Sequence, residues 1–297
     1  MTSTVNLAYL KVTKPRPFVA HIQMAREPVN TFNSEFWKEY AAVFDNMREW
    51  YGDVRVVVLS STLPKIFSAG IDFGDLFIPD KSSFTDPART ALALREHVLS
   101  FQAAISAPER CLAPVIAAIH GTTYGLAVDI VTACDIRYAA SDTRFSIKEV
   151  DVGLAPDIGT LARLPHVTSN ASLAAEFTYT ARPFSAEEAL GLGLVSRIVQ
   201  GGRDQVVEEA LGLAEEITRK SPVAIMSAKR LLMHARDHSV SENLDYTAAW
   251  NASMLQTADI PEAVRVTKAR GHELAKFEPL PKGLKSPRSK SDAKAKL

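Results

Sequence analysis

Between Ala113 and Leu164 the chain sets six acids, Asp129, Asp135, Asp142, Glu149, Asp151 and Asp157, into apolar surroundings. Three of them stand where an ordinary core admits no carboxylate. Gly125 to Cys134 reads GLAVDIVTAC, with small or apolar residues on every side of Asp129. A segment apolar all round predicts a buried helix. A carboxylate on it must be hydrogen-bonded, paired, or neutral with a raised pKa. Asp129 is therefore either a structural acid bonded to a neighbouring loop or a functional one, and its position alone leaves both readings open.

Glu149 ends TRFSIKEV, residues 143–150, which reads as a strand. Alternation puts Phe145, Ile147 and Glu149 on one side, so the carboxylate points where Phe145 points unless the strand end bends out to water. Asp157 follows Pro156 and precedes IGTLARL, a short helical pattern. Asp before a helix is a capping signal, and a cap can also serve as a catalytic acid.

A chain of 297 residues forms one large domain or two. At 46% hydrophobic and 23% charged, it has enough apolar residues for a sizeable core. Its 34 Lys and Arg balance 34 Asp and Glu, so overall charge does not suggest a nucleic-acid partner. The start, MTSTVNLAYLKV, lacks the pattern of a secretory signal, and no apolar run approaches the ~20 residues of a membrane span. Cys111 and Cys134 read as buried small hydrophobes, not as a disulfide framework. His234 and His238 share a helix face without a third ligand, so they read as surface residues and not a metal site. No Walker A loop and no Rossmann glycine motif occurs.

Taken in order, 18–24 (FVAHIQM) reads as a strand. Residues 33–51 read as a helix with Phe36, Tyr40, Val43, Phe44, Met47 and Tyr51 on one stripe. Residues 54–60 (VRVVVLS) are a near-continuous β-branched run, hence a strand covered on both faces. Residues 65–76 form a loop in which Gly70 permits a tight turn with N–H groups free to face a ligand. Residues 88–112 read as a long helix, with Leu92, Arg95, Leu99, Gln102 and Ile105 marking its turns. Residues 113–119 are the next buried strand, and His120-Gly121 turns into the Asp129 helix.

Beyond Leu164 helices follow one another at 170–179, 185–192, 203–219, 222–236, 239–256 and 261–276. Ser185 and Glu188 sit at capping-box positions, and Pro222 falls in a first turn. Alternating strands and helices, then helices alone, imply an α/β core over 1–200 and a helical region over 201–279, with the break at QGGRD. The tail, 280–297, carries Lys282, Lys285, Arg288, Lys290, Lys294 and Lys296 against Asp292 and reads as disordered. Its last residues, Ala295-Lys296-Leu297, vary the SKL peroxisomal address by one small residue.

FSAGID at 67–72, AAIHG at 117–121, ACDIRYA at 133–139 and KEVDVGLAPDIGTLARLP at 148–165 resemble the enoyl-CoA hydratase/isomerase (crotonase) superfamily. Among its branches the chain is most similar to the delta(3,5)-delta(2,4)-dienoyl-CoA isomerases. The acid spacing, 20 residues from Asp129 to Glu149 and 8 more to Asp157, strengthens the match, which runs from Phe18 to about Phe277. The resemblance implies a crotonase-like spiral of strand–strand–helix turns, and a helical C-terminal region that builds trimers or hexamers. It implies an acyl-CoA thioester as substrate, with coenzyme A part of that substrate, and no metal or other cofactor. It implies a fatty-acid β-oxidation enzyme, and with the AKL end a peroxisomal one met by an import receptor. Ala69, Gly70, Ile71, Asp72, Phe73 and Leu126 match its substrate-binding loops. The backbone N–H groups of Ile71 and Leu126 match its oxyanion hole. Asp129, Glu149 and Asp157 match its three acids. The family usually has a glycine run before the acid at 129, where this chain reads Tyr124-Gly125-Leu126-Ala127.

Moving two double bonds along an acyl chain removes a proton at C2 and returns one at C6. One carboxylate must be ionised and another protonated, and clustered acids in an apolar pocket split their pKa values in that sense. Glu149 is assigned as the base, Asp157 as the donor and Asp129 as the group that orients them, with the order of the first two open. The alternatives are a 2-enoyl-CoA hydratase, holding water between the acids at 129 and 149, and a non-catalytic acyl-CoA-binding member of the family. Lys65 and Lys282 are candidates for the CoA phosphates.

Overall fold

The computed structural model describes residues 5–75, 86–269 and 274–284. Its strands are β1 (Leu10–Arg16), β2 (Val19–Met24), β3 (Val56–Ser61), β4 (Ile66–Ser68), β5 (Val115–Ile119), β6 (Thr122–Tyr124), β7 (Ile136–Ala140), β8 (Arg144–Ser146), β9 (Phe184–Ser185) and β10 (Arg197–Val199). Its helices are α1 (Ser34–Asp45), α2 (Met47–Tyr51), α3 (Pro87–Ile105), α4 (Ala107–Arg110), α5 (Leu126–Thr132) and α6 (Thr160–Val167). They continue as α7 (Ala171–Thr180), α8 (Ala186–Leu192), α9 (Arg203–Thr218), α10 (Pro222–His234), α11 (Val240–Met254) and α12 (Asp259–Lys268).

The VVVLSS run of β3 explains the frame. Every one of its residues is buried, because the strand lies inside a six-stranded sheet ordered β1-β2-β3-β5-β7-β10. All the pairings are parallel except β1 with β2. Alternate side chains then feed two cores. Val57, Leu59, Val115, Ala117 and Ile119 join one cluster with α1, α5 and α8. Val56, Val58, Ile116 and Ala118 join the other, covered by Val206, Ala210, Leu211 and Ala214 of α9. The chain break at QGGRD is thus a turn, and the helix after it packs on the sheet.

After β3, β5 and β7 the chain steps into a second sheet, ordered β4-β6-β8-β9. Each step, β3 to β4, β5 to β6, β7 to β8, leads into irregular chain or a helix before the next return. This is the strand–strand–helix spiral that the resemblance implies, and it gathers the connections after β4, β6 and β8 side by side.

Several expectations change. The N-terminal strand β1 and the short strands β4, β6 and β9 of the second sheet carry too little pattern to be read in advance. The helix expected over 88–112 stops at Ile105. A separate short helix follows with Pro108 in its first turn, where a residue without an N–H is tolerated. Its stripe is also shifted: Leu92 is 66% exposed, while Phe101 and Ala104 are buried; only at its end, at Ile105, does the expected stripe meet the core. The strand expected over 143–150 ends at Ser146, and Glu149 opens a 3-10 turn, Glu149–Val152, because Lys148 already has helical backbone angles. The last helix ends at Lys268, short of the expected 276.

The C-terminal helices are anchored at one buried cation. Lys229 of α10 donates to Pro108 O at 2.6 Å and Ala113 O at 3.0 Å, and pairs with Asp135 Oδ2 at 2.8 Å. Farther out, Leu232, Val240, Leu244 and Leu255 are more than 60% exposed. The chain stays bonded to the core as far as Leu280, whose carbonyl accepts from Arg48 Nη2 at 2.7 Å. The tripeptide Ala295-Lys296-Leu297, expected to be an address, and the tail cations from Lys285 onward lie outside the described residues.

Candidate active site

The loops after β4, β6 and β8 meet α3 around a cavity of about 280 Å³. Asp129, Glu149 and Asp157 all line it, so the spiral brings together three acids 28 residues apart in sequence. Ala69, Gly70, Ile71, Phe73 and Leu126 line it as well. Asp72 does not. Its carboxylate pairs with Arg26 Nη2 at 2.6 Å and accepts from Gly74 N–H at 3.0 Å, which hold it below the usual carboxylate range. Lys65 and Lys282 are exposed and stand outside the lining.

Two backbone donors face this space. Phe32 N–H donates to Gly70 O and Asp72 N–H to Phe32 O, each at 2.9 Å. That alternation turns the Ile71 N–H the other way. Leu126 is the first residue of α5, where an N–H has no partner within its own helix. Among the described residues neither N–H meets an acceptor. The two segments touch: a Cβ on Gly70, at φ +104°, would fall 3.0 Å from Tyr124 O and 3.5 Å from Leu126 N. Only glycine allows that backbone at that distance. The Leu126 side chain is 4% exposed and packs into the main core.

Asp129 is 1% exposed. Its Oδ1 accepts from Thr160 N–H, the first of α6, at 2.6 Å. That bond resolves the capping question. Asp157 does not cap α6; the N-cap is Gly159, which has no side chain to offer, and Asp129 satisfies the helix from across the fold. Burial pushes Asp129 up to about 6, against the opposing pull of Thr160 and of the Arg163 charge.

Glu149 sits with Oε1 against Gly125, where a Cβ would lie 3.6 Å from it. Its Oε2 is buried and has no partner among the described residues. Burial, then the Asp129 charge, push Glu149 up to about 7. Asp157 is the most open of the three. Its own backbone carbonyl is held by Gln102 Nε2 of α3 at 2.6 Å. Burial raises its pKa, while a hydrogen bond from its own backbone and the charge of His97 hold it back. Three carboxyls with unequal proton affinities in one apolar space are the arrangement that supports simultaneous acid and base roles.

The remaining wall was not read from sequence. Leu94, His97, Val98 and Phe101 of α3 line one side, and Val152, Leu154 and Ile158 another. Their 94-98-101 spacing is a helical stripe one position out of phase with the expected one. Trp37 of α1 stacks on Phe101 at 5.3 Å and holds α3 in place. His234 and His238 are far from this work: their rings stack at 3.7 Å on the C-terminal helices, next to Tyr246. Cys111 and Cys134 are buried and free. Among the described residues no group of three or more His, Cys, Asp or Glu has the arrangement of a metal site, and no helix is long and apolar enough to cross a membrane.

Fold and site together define a class, and the sequence pattern of the Enoyl-CoA hydratase/isomerase family matches residues 16–270. The chain belongs to that family. Its relatives include the human mitochondrial delta(3,5)-delta(2,4)-dienoyl-CoA isomerase, 47% identical over 262 residues, which span 87% of this chain and 78% of that one. The peroxisomal delta(3,5)-delta(2,4)-dienoyl-CoA isomerase of Arabidopsis thaliana is 42% identical over 238 residues, 80% of this chain and 84% of that one. Among solved structures, Pseudomonas aeruginosa DspI superposes with a TM-score of 0.81 at 27% identity, covering 93% of this chain and 99% of that one. An enoyl-CoA hydratase from Bacillus anthracis gives 0.78 at 26% identity, covering 93% and 100%.

The electrostatics carry a stability consequence. Glu149 binds its proton more tightly folded than unfolded, so stability falls as pH rises from its ordinary value, near 4.5, toward about 7. Replacing Glu149 with Gln removes that dependence. In urea unfolding, E149Q gains on wild type by on the order of 2 kcal/mol between pH 5 and pH 8. A gap that does not change with pH would mean that Glu149 titrates as a surface acid.

Proposed function

We propose that this cavity isomerises a 3,5-dienoyl-CoA to the conjugated 2,4-dienoyl-CoA, in the oxidation of unsaturated fatty acids. The observation that carries the proposal is the lining itself: three carboxyls of unequal burial beside two backbone N–H groups with no acceptor. The printed activity of the human and Arabidopsis relatives supports the same reading.

The thioester oxygen accepts from the N–H groups of Ile71 and Leu126. A proton on C2 is only weakly acidic, and each donor stabilises the dienolate by ~3–4 kcal/mol, as in comparable holes. Glu149 takes that proton. Its Oε1 lies against Gly125, the neighbour of the Leu126 donor, and so beside the carbon attached to the bound carbonyl. With an affinity near 7 it is a far better base than a solvated glutamate, and a large fraction of it is ionised at neutral pH. The acyl chain lies along the apolar face of α3, which carries C6 toward Asp157. Covering Asp157 with hydrocarbon removes water from it and favours its neutral, donating form. Asp129, fixed by Thr160, orients the pair and raises Glu149 by its charge. The chemistry balances without a cofactor: one proton leaves C2, one arrives at C6, and the two acids exchange states.

The exposed Leu232, Val240, Leu244 and Leu255 support an assembly of identical chains through the C-terminal helices. The proposed setting is the peroxisome, with Ala295-Lys296-Leu297 as the address met by an import receptor. That tripeptide's likeness to SKL supports it, as does the peroxisomal name of the Arabidopsis relative.

A spectrophotometric assay with a 3,5-dienoyl-CoA, following absorbance of the conjugated product, tests the activity. Wild type turns over; Asp157→Asn and Glu149→Gln each lose 100-fold or more, on the order expected for a lost acid or base; hydration of a 2-enoyl-CoA stays minor. Hydration that survives Asp157→Asn would instead identify a hydratase, and tight ester binding without either reaction a non-catalytic binder. Light scattering gives a trimer or hexamer for wild type and a smaller species for Leu244→Glu; a monomeric wild type refutes the assembly. A fluorescent fusion preceding the intact C-terminus enters peroxisomes and stays outside when the last three residues are deleted; unchanged import removes the address.

A further inference from the structure

Asp129 depends on one bond from Thr160, so the question is what holds Thr160. The residue before it, Gly159, has φ +155°, and a Cβ built there would fall 1.7 Å from Arg163 Nη1. The Arg163 guanidinium therefore fills the space directly against the Gly159 backbone. It cannot drift, because it is clamped from the other side. Arg163 Nε and Nη2 donate to Glu109 Oε1 and Oε2, each at 2.9 Å, and Nη2 also donates to Ser106 Oγ at 2.6 Å. Glu109 Oε1 accepts in turn from Arg236 Nη1 at 2.8 Å. The Arg163 and Glu109 side chains are 12% and 15% exposed, so water screens the pair little. Arg163 Nη1 is buried without a partner among the described residues, as is the hydroxyl of Tyr40. We infer that Arg163 is a positioning residue of the active site: braced by Glu109 and Ser106, it props the Gly159 turn so that the Thr160 N–H is aimed at the Asp129 carboxylate.

The charge matters beside the geometry. Asp129 is faced by Arg163 from α6 and by Glu149 and Asp157 from the chain after β8; Arg163 itself is faced by Glu109 of α4, Arg236 and Tyr40 of α1. Within that group Arg163 is the cation acting on Asp129.

The inference rests on the isomerase reading of the cavity, so its test includes a readout independent of turnover. The carboxyl C=O stretch of Asp129, isolated as the infrared difference between wild type and Asp129→Asn, gives its titration midpoint. In Arg163→Met that midpoint rises by about one pH unit, and kcat for the dienoyl-CoA falls 10- to 100-fold with KM changed less than threefold. Arg163→Lys returns the midpoint toward wild type but not kcat, because an ammonium cannot hold Glu109, Ser106 and the Gly159 turn together. If Arg163→Met does not fold, the double variant Glu109→Gln/Arg163→Met removes both charges and serves in its place. An unmoved midpoint and an unmoved kcat in a folded variant overturn the inference. A moved midpoint in a protein that does not isomerise dienoyl-CoA upholds the positioning role and refutes the reaction.

Discussion

The bond from Thr160 N–H to Asp129 is the constraint on which the site hangs. A carboxylate removed from water is costly unless a donor meets it, and a helix start buried without an acceptor is costly for the same reason. Here each solves the other's problem across 31 residues of chain. The segment between them, which holds β7, β8 and the Glu149 turn, is closed into a loop whose ends cannot separate without exposing two unpaired groups. Glu149 and Asp157 both lie within that closed segment, which β8 and the Gln102 contact also hold. It also leaves Asp129 close enough to Glu149 for one charge to be felt by the other.

The frame makes such closeness affordable to hold. A sheet covered on both faces by apolar clusters is stiff, and its strands deliver their loops at set heights. The contact between Gly70 and the Tyr124–Leu126 turn brings two separate turns of the spiral to one cavity. In the proposed reaction, donors already in place on those turns need no rearrangement when charge develops on an oxygen between them.

Much of this was legible in the residues. The VRVVVLS run at 54–60 announced a strand buried on both faces, found at Val56–Ser61, and the apolar neighbours of Asp129 announced a buried acid. Other features were hidden for physical reasons. Lys148 leaves the extended region before any change in hydrophobic pattern, so the strand looked longer than it is. Asp157 has the sequence of a cap but not the role, because Asp129 reached the helix first and did so through tertiary contact. The α3 stripe was misphased because Leu92 is apolar yet exposed, whereas the cavity-facing His97 is polar. Strands β4 and β6 of the second sheet are too short for a period-2 signal and exist through pairing with distant partners.

The cavity walls come from two sources. The acids and donors belong to the connections after β4, β6 and β8, tied to the sheets by backbone bonds. Part of the apolar side facing them belongs to α3, which is buried at Phe101, Ala104 and Ile105, stacks on Trp37 and reaches the Asp157 carbonyl through Gln102. α3 thus adds apolar wall without supplying any of the three acids or the two backbone N–H groups. Exchanging Leu94 or Val98, which carry neither the Trp37 stack nor the Gln102 contact, for larger or smaller residues reshapes the space beside the acids. A lineage built on this fold can change its diet of substrates one helix face at a time while keeping a single reaction.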